Sequence, residues 1–176
     1  MKKDKAMVYL IIALSVLARF IPHLHNFSPV YGALLFGGAH LKKRDSLWFP
    51  LLLLVASDYV LTDLVYHLTM GWLVVFQAAA FASVVMVGWL LRERTSLARF
   101  GVACIAGPLA FFLISNFGVW ACFTTFPHNA AGLAECYIAG LPYFGRTVVS
   151  TVLGAGLLFG FYEFWRSRQM QATHAN

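Results

Sequence analysis

Six apolar runs divide the chain, over about residues 6–22, 27–41, 47–66, 72–91, 97–123 and 143–165. Charged or turn-forming stretches separate them. The first run is broken only by Arg19 and ends at Pro22, where a helix stops. The second is short for a span and holds Gly32, Gly37 and Gly38, which predicts a broken or tilted segment. The third carries Asp58 and Asp63. The fourth has Gln77 and Ser83 as its only polar interruptions, and the fifth has no charge after Arg99. Residues 124–142 form the longest polar stretch, and 131–139 within it read as a short interfacial helix between helices 5 and 6. Residues 167–176 read as a frayed tail.

A span needs about 20 apolar residues. Six spans therefore take up most of the 176 residues and leave no room for a soluble catalytic domain. The expected fold is an all-α membrane protein: a six-helix transmembrane bundle forming one integral membrane domain over residues 1–176. Composition agrees. Hydrophobic residues make up 60% and charged residues 11%, against roughly 45–50% and about 25% in a soluble domain. A disordered chain, a coiled coil and an ordinary soluble globule are excluded, and the lipid bilayer is the first expected partner.

The net charge of +6 would suit nucleic acid, but its placement argues against that partner. With the N-terminus inside, Lys2, Lys3, Lys5, Lys42, Lys43, Arg44, Arg92, Arg94, Arg99, Arg166 and Arg168 all fall on the cytoplasmic side, as cytoplasmic loops prefer. Both termini are then cytoplasmic. Residues 1–18 also resemble a signal peptide, with Val16-Leu17-Ala18 near a cleavage point. Arg19 directly after it, and the need for an even number of crossings, favour a retained helix.

Two arginines break the inside bias. Arg19 and Arg146 fall in the outer half, together with His23, Asn26, Asp58, Asp63, His67, Asn116, Trp120, Glu135, Tyr137 and Tyr143. Polar residues gathered in one leaflet mark a candidate substrate-binding site open to the outside. Asp58 is the costliest of them. It lies eleven residues after Leu47, about 16 Å along a helix, near the midplane, where a lone charge costs about 2.5–3.5 kcal/mol. It needs Arg19, Arg146 or a ligand as its counter-charge. Asp58, Thr62 and Tyr66 share one helical face, Asp63 and His67 another, and Asn116 and Trp120 a face of helix 5.

Each residue also has a plainer role. The arginines can snorkel to headgroups, Trp120 can anchor the interface, and Asn116 can bridge helices. Gly156-xxx-Gly160 and Ala78-xxx-Ala82 have helix-packing spacing. Cys122 and Cys136 flank the outer loop and can pair in an oxidising compartment. With His128 between them they match no standard zinc spacing, so neither metal nor cofactor is expected. No nucleophile elbow, zinc-protease or Walker motif is present. No catalytic residue is assigned, and the chain cannot by itself couple ATP hydrolysis to movement.

Several strings carry a resemblance. Ala18-Arg19-Phe20-Ile21-Pro22-His23 is followed by Asn26-Phe27-Ser28-Pro29-Val30 and Leu35-Phe36-Gly37-Gly38-Ala39. Later come Ser57-Asp58, Ser115-Asn116-Phe117-Gly118-Val119-Trp120, Gly132-Leu133 through Cys136-Tyr137, and Leu141-Pro142-Tyr143-Phe144 with Thr147. From about residue 15 to 162 the chain resembles an uncharacterised bacterial multi-pass membrane family described as transport proteins. More distantly, its layout is similar to the S-components of energy-coupling-factor (ECF) vitamin transporters, the solitary cobalamin type closest. That resemblance implies six helices, both ends inside, and ligand roles for His23, Asp58, Asp63 and Arg146. Residues 66–72 lack the cysteine that the cobalamin branch uses as a cobalt ligand.

The expected function is therefore a membrane solute-binding or transport protein of the bacterial inner membrane. It would capture a small nutrient or vitamin in an outward-facing polar pocket. Glu135 and Tyr137 would sit on a lid formed by 124–142, and an ECF-type ATPase and transmembrane module would supply the energy. Two alternatives remain open: a small membrane enzyme acting on a lipid or cofactor, and a non-catalytic membrane assembly partner.

Overall fold

The computed structural model describes residues 2–20, 28–61, 71–93 and 95–174. Among these, all regular structure is helical. Helix α1 (Lys2–Leu17) runs into a 3₁₀ turn at Ala18–Phe20. Then come α2 (Val30–His40), α3 (Lys43–Tyr59), α4 (Leu73–Gly88) with a 3₁₀ turn at Trp89–Leu91, α5 (Leu97–Cys122) and α6 (Ala130–His174). Short links make the pairs α2–α3, α4–α5 and α5–α6 antiparallel. Only Leu41 and Lys42 separate α2 from α3, and the expected hydrophilic turn at 42–45 becomes the first turn of α3. There Asp45 favours the helix N-terminus.

Helix α2 is the centre of the bundle. It has eleven residues, and every one from Val30 to Gly38 is buried. At about 16 Å it is too short for a hydrocarbon layer of about 30 Å. The short second run is thus an inner helix wrapped by α1, α3, α4, α5 and α6. Its glycines permit this. A Cβ on Gly38 would collide with the Val85 carbonyl and the Gly88 backbone, and a Cβ on Gly32 with the backbone of Gly154 and Ala155. Leu34, Leu35 and Phe36 fill the core with Ile12, Leu54, Val84, Val85 and Phe159. By contrast, Gly156 and Gly160 face open space. Among the described residues, the GxxxG stripe expected to pack helices therefore does not do so.

Three stretches are long and apolar enough to cross a membrane: Leu73–Leu91, Leu97–Cys122 and Ala130–Gln169. Their outer faces carry large apolar side chains, among them Val75, Val102, Ile105, Leu109, Leu153, Leu157 and Phe161. A buried core inside an apolar exterior is the character of a membrane protein.

Helix α6 corrects two expectations. The interfacial helix over 131–139 is not separate, and the tail is helical to His174; both belong to one 45-residue helix. At about 68 Å it exceeds even the whole bilayer of about 40–45 Å. Pro142 removes only one backbone hydrogen bond, and α5 grips the helix on both sides of it. The Tyr137 hydroxyl donates to the Leu113 carbonyl at 2.9 Å, and Phe144 packs on Phe112 at 5.2 Å between ring centroids.

One end of the bundle gathers the basic links. The Arg92 guanidinium donates to the Gly38 carbonyl at 3.3 Å, and Lys43 lies 5.1 Å over the Trp89 ring. The Trp89 indole donates to Ser46 Oγ at 3.1 Å. The candidate site lies at the other end.

Candidate functional site

A cavity of about 280 Å³ opens between the 3₁₀ turn after α1, the start of α2, the first half of α4, the second half of α5 and residues 140–147 of α6. Five elements contribute to it. Its apolar wall is aromatic. Tyr31 meets Phe111 edge-on at 5.0 Å, and Phe81 meets Phe111 at 5.1 Å. Arg19, Ser28, Gln77, Ser115, Asn116, Tyr143 and Thr147 supply polar atoms.

Arg19 is held hard. Its Nη1 donates to Ser57 Oγ at 2.7 Å and its Nη2 to Asp58 Oδ1 at 2.5 Å. Ser57 Oγ in turn donates to the Leu54 carbonyl at 2.9 Å. The Arg19 and Asp58 side chains are only 18% and 14% exposed. The guanidinium also lies 5.8 Å from the centre of the Phe81 ring. The counter-charge of Asp58 is therefore Arg19. Arg146 is exposed and stacks over Tyr143 of its own helix at 5.9 Å.

The remaining expected residues divide. Asn116 lines the cavity, its Nδ2 donating to the Phe112 carbonyl at 2.8 Å. Asp58 stands behind Arg19, outside the lining. Glu135 is exposed. Trp120 and Tyr137 are fasteners: the Trp120 indole donates to the Pro127 carbonyl at 2.9 Å, and Tyr137 ties α6 to α5. His23, Asn26, Asp63 and His67 lie outside the described residues.

The segment expected to form a lid is tied to α5 and within itself by hydrogen bonds. Trp120 holds Pro127, the Asn129 amide donates to the Pro127 carbonyl at 2.8 Å, and Asn129 Oδ1 accepts from the Gly132 amide at 2.9 Å to cap α6. Glu135 and Tyr137 therefore ride on a helix. Cys122 and Cys136 are free thiols rather than a disulfide, and the Cys136 thiol is directed at the Asn116 carbonyl, 3.4 Å away.

Sequence reasoning missed Gln77, Tyr31, Ser28, Ser115 and Thr147 as lining residues. Gln77 carried a legible signal, as the one amide in a run whose only other polar residue is Ser83. Its Oε1 is buried and has no hydrogen-bond partner among the described residues. The aromatic walls carried none, because 16 phenylalanines do not mark the four that line the cavity.

A family model matches residues 1–173, and it describes a family of unknown function (DUF6580). No curated protein and no solved structure matches the chain.

Proposed function

We propose that this chain, which belongs to the DUF6580 family of unknown function, is a membrane solute-binding protein that captures a small molecule in the cavity beside Arg19. The supporting observation is the cavity itself. It joins aromatic walls to several polar atoms and one arginine, as small-molecule sites do. It also lies at the end of the bundle away from the basic links at Lys42–Arg44 and Arg92. With those links cytoplasmic, both termini are inside, the six helices alternate in direction through a bacterial inner membrane with the short α2 enclosed by the others, and the cavity faces out. The likeness to ECF S-components rests on sequence layout. On that reading, a separate ATPase and transmembrane module energises uptake.

Native mass spectrometry of the gently purified protein tests this. A small molecule retained one to one, and lost in Ser115→Phe, supports it; that substitution fills the cavity and leaves the ion pair alone. Retention unchanged in Ser115→Phe moves binding elsewhere. An empty protein whose thermal midpoint no small-molecule extract of its own cells raises sinks the reading.

One observation favours an assembly role instead: Arg19 and Asp58 satisfy each other, as structural glue would. Stable co-purification with one membrane protein and no small molecule identifies that role.

A further inference from the structure

We infer that the cavity takes a compact, net-uncharged, planar heteroaromatic molecule that presents a hydrogen-bond acceptor and a donor, and not an organic anion or a macrocycle. The inference rests on the solute-binding reading above and names its ligand class.

Size gives the first limit. At about 280 Å³ the cavity lies at the lower edge of the roughly 300–1,000 Å³ of ordinary ligand pockets. One or two fused rings fit; a corrin-sized ring does not.

Charge gives the second. Among the described residues, Arg19 is the only charged side chain in the lining, and its charge is already met by Asp58. A carboxylate brought up to Arg19 also meets the Asp58 carboxylate behind it. Its desolvation is then repaid by a dipole rather than a free cation. A guanidinium has five N–H donors, and described residues take two of them, at Ser57 and Asp58. A neutral acceptor, such as a carbonyl oxygen or ring nitrogen, can use another.

Gln77 gives the third. Gln77 lines the cavity, and its Oε1 is buried without a hydrogen bond from any described residue. A buried acceptor is costly to leave unmet, and a turn of the Gln77 amide toward the cavity lets a ligand N–H or O–H meet it. Arg19 and Gln77 thus ask for an acceptor and a donor on one molecule. The rings of Tyr31, Phe81, Phe111, Phe112 and Phe144 ask for a flat one, since aromatic faces and edges pair with aromatic ligands.

Binding to the full-length protein in detergent is measured by calorimetry for two matched pairs: nicotinamide against nicotinate, and uracil against orotate. Nicotinamide and nicotinate share one shape and differ in charge, and orotate is uracil with one carboxylate added. An uncharged member is expected to bind, with its carboxylate partner weaker. Gln77→Leu is expected to weaken the uncharged member about five- to tenfold, the worth of one hydrogen bond. The comparison within pairs needs no variant, so it stands even if Gln77→Leu fails to fold. Tighter binding of nicotinate or orotate overturns the ligand class, as does an uncharged ligand indifferent to Gln77→Leu in a folded variant. In both cases, loss of binding in Ser115→Phe keeps the cavity reading. Failure of all four probes also overturns the class, and a mass retained by the same preparation separates that failure from failure of the cavity reading. Binding untouched by Ser115→Phe overturns both.

Discussion

At the scale of single residues, the Arg19–Asp58 pair dominates. A carboxylate deep in an apolar run cannot stand alone, and that much was legible from the position of Asp58. Which arginine meets it was not, because Arg19 and Arg146 are equally cationic on paper. Contact decides it: the turn after α1 ends beside the last turns of α3, whereas Arg146 stacks on Tyr143 of its own helix. Asp58→Ala leaves a largely buried guanidinium unpaired and is expected to cost about 3–5 kcal/mol. The double change Arg19→Met with Asp58→Leu is expected to recover most of that loss. Denaturant unfolding in detergent measures both, and equal destabilisation by the single and double variants would refute the coupling. Arg146→Ala, at an exposed position, is expected to shift stability by less than about 0.5 kcal/mol.

Among the elements, α2 and α6 depart furthest from what periodicity implied. The glycines of α2 were visible in the sequence, but their meaning was not. A glycine-rich apolar run reads equally as a kinked span and as an inner helix. Only the closeness of α4 and α6 shows that Gly38 and Gly32 stand where no side chain fits. Gly38→Leu is expected to lower stability by well over the usual cost of overpacking, about 1–3 kcal/mol, because the obstructing atoms are backbone. Gly156→Leu, at a position facing open space, is expected to leave the thermal midpoint nearly unchanged. The reverse order of the two midpoints would mean that the GxxxG stripe, not α2, carries the packing. For α6, the polar stretch over 124–142 suggested a break before the last span, and the bonds to α5 override it.

For the molecule as a whole, the prediction concerns sidedness. The cavity and the loop before α6 share one end, and the basic links share the other. In a background without the native cysteines, Asn129→Cys is expected to react with an impermeant maleimide in intact cells. Ser167→Cys is expected to react only after lysis. Labelling of Ser167→Cys from outside would invert the topology and turn the cavity toward the cytoplasm.

The sequence alone determined the membrane character, the helical class, the alternation of charged links and apolar runs, and the end at which polar residues collect. Those properties depend on which side chains water rejects, and each residue carries that preference wherever it stands. The tertiary structure alone decided that α2 is enclosed, that Asp58 belongs to Arg19, and that Gln77 and the aromatic rings share a cavity with Asn116 while Arg146 does not. Those outcomes depend on the rotation and depth of each helix against its neighbours. Distances of a few ångströms between segments far apart in the chain set them, and no local pattern of residues records those distances.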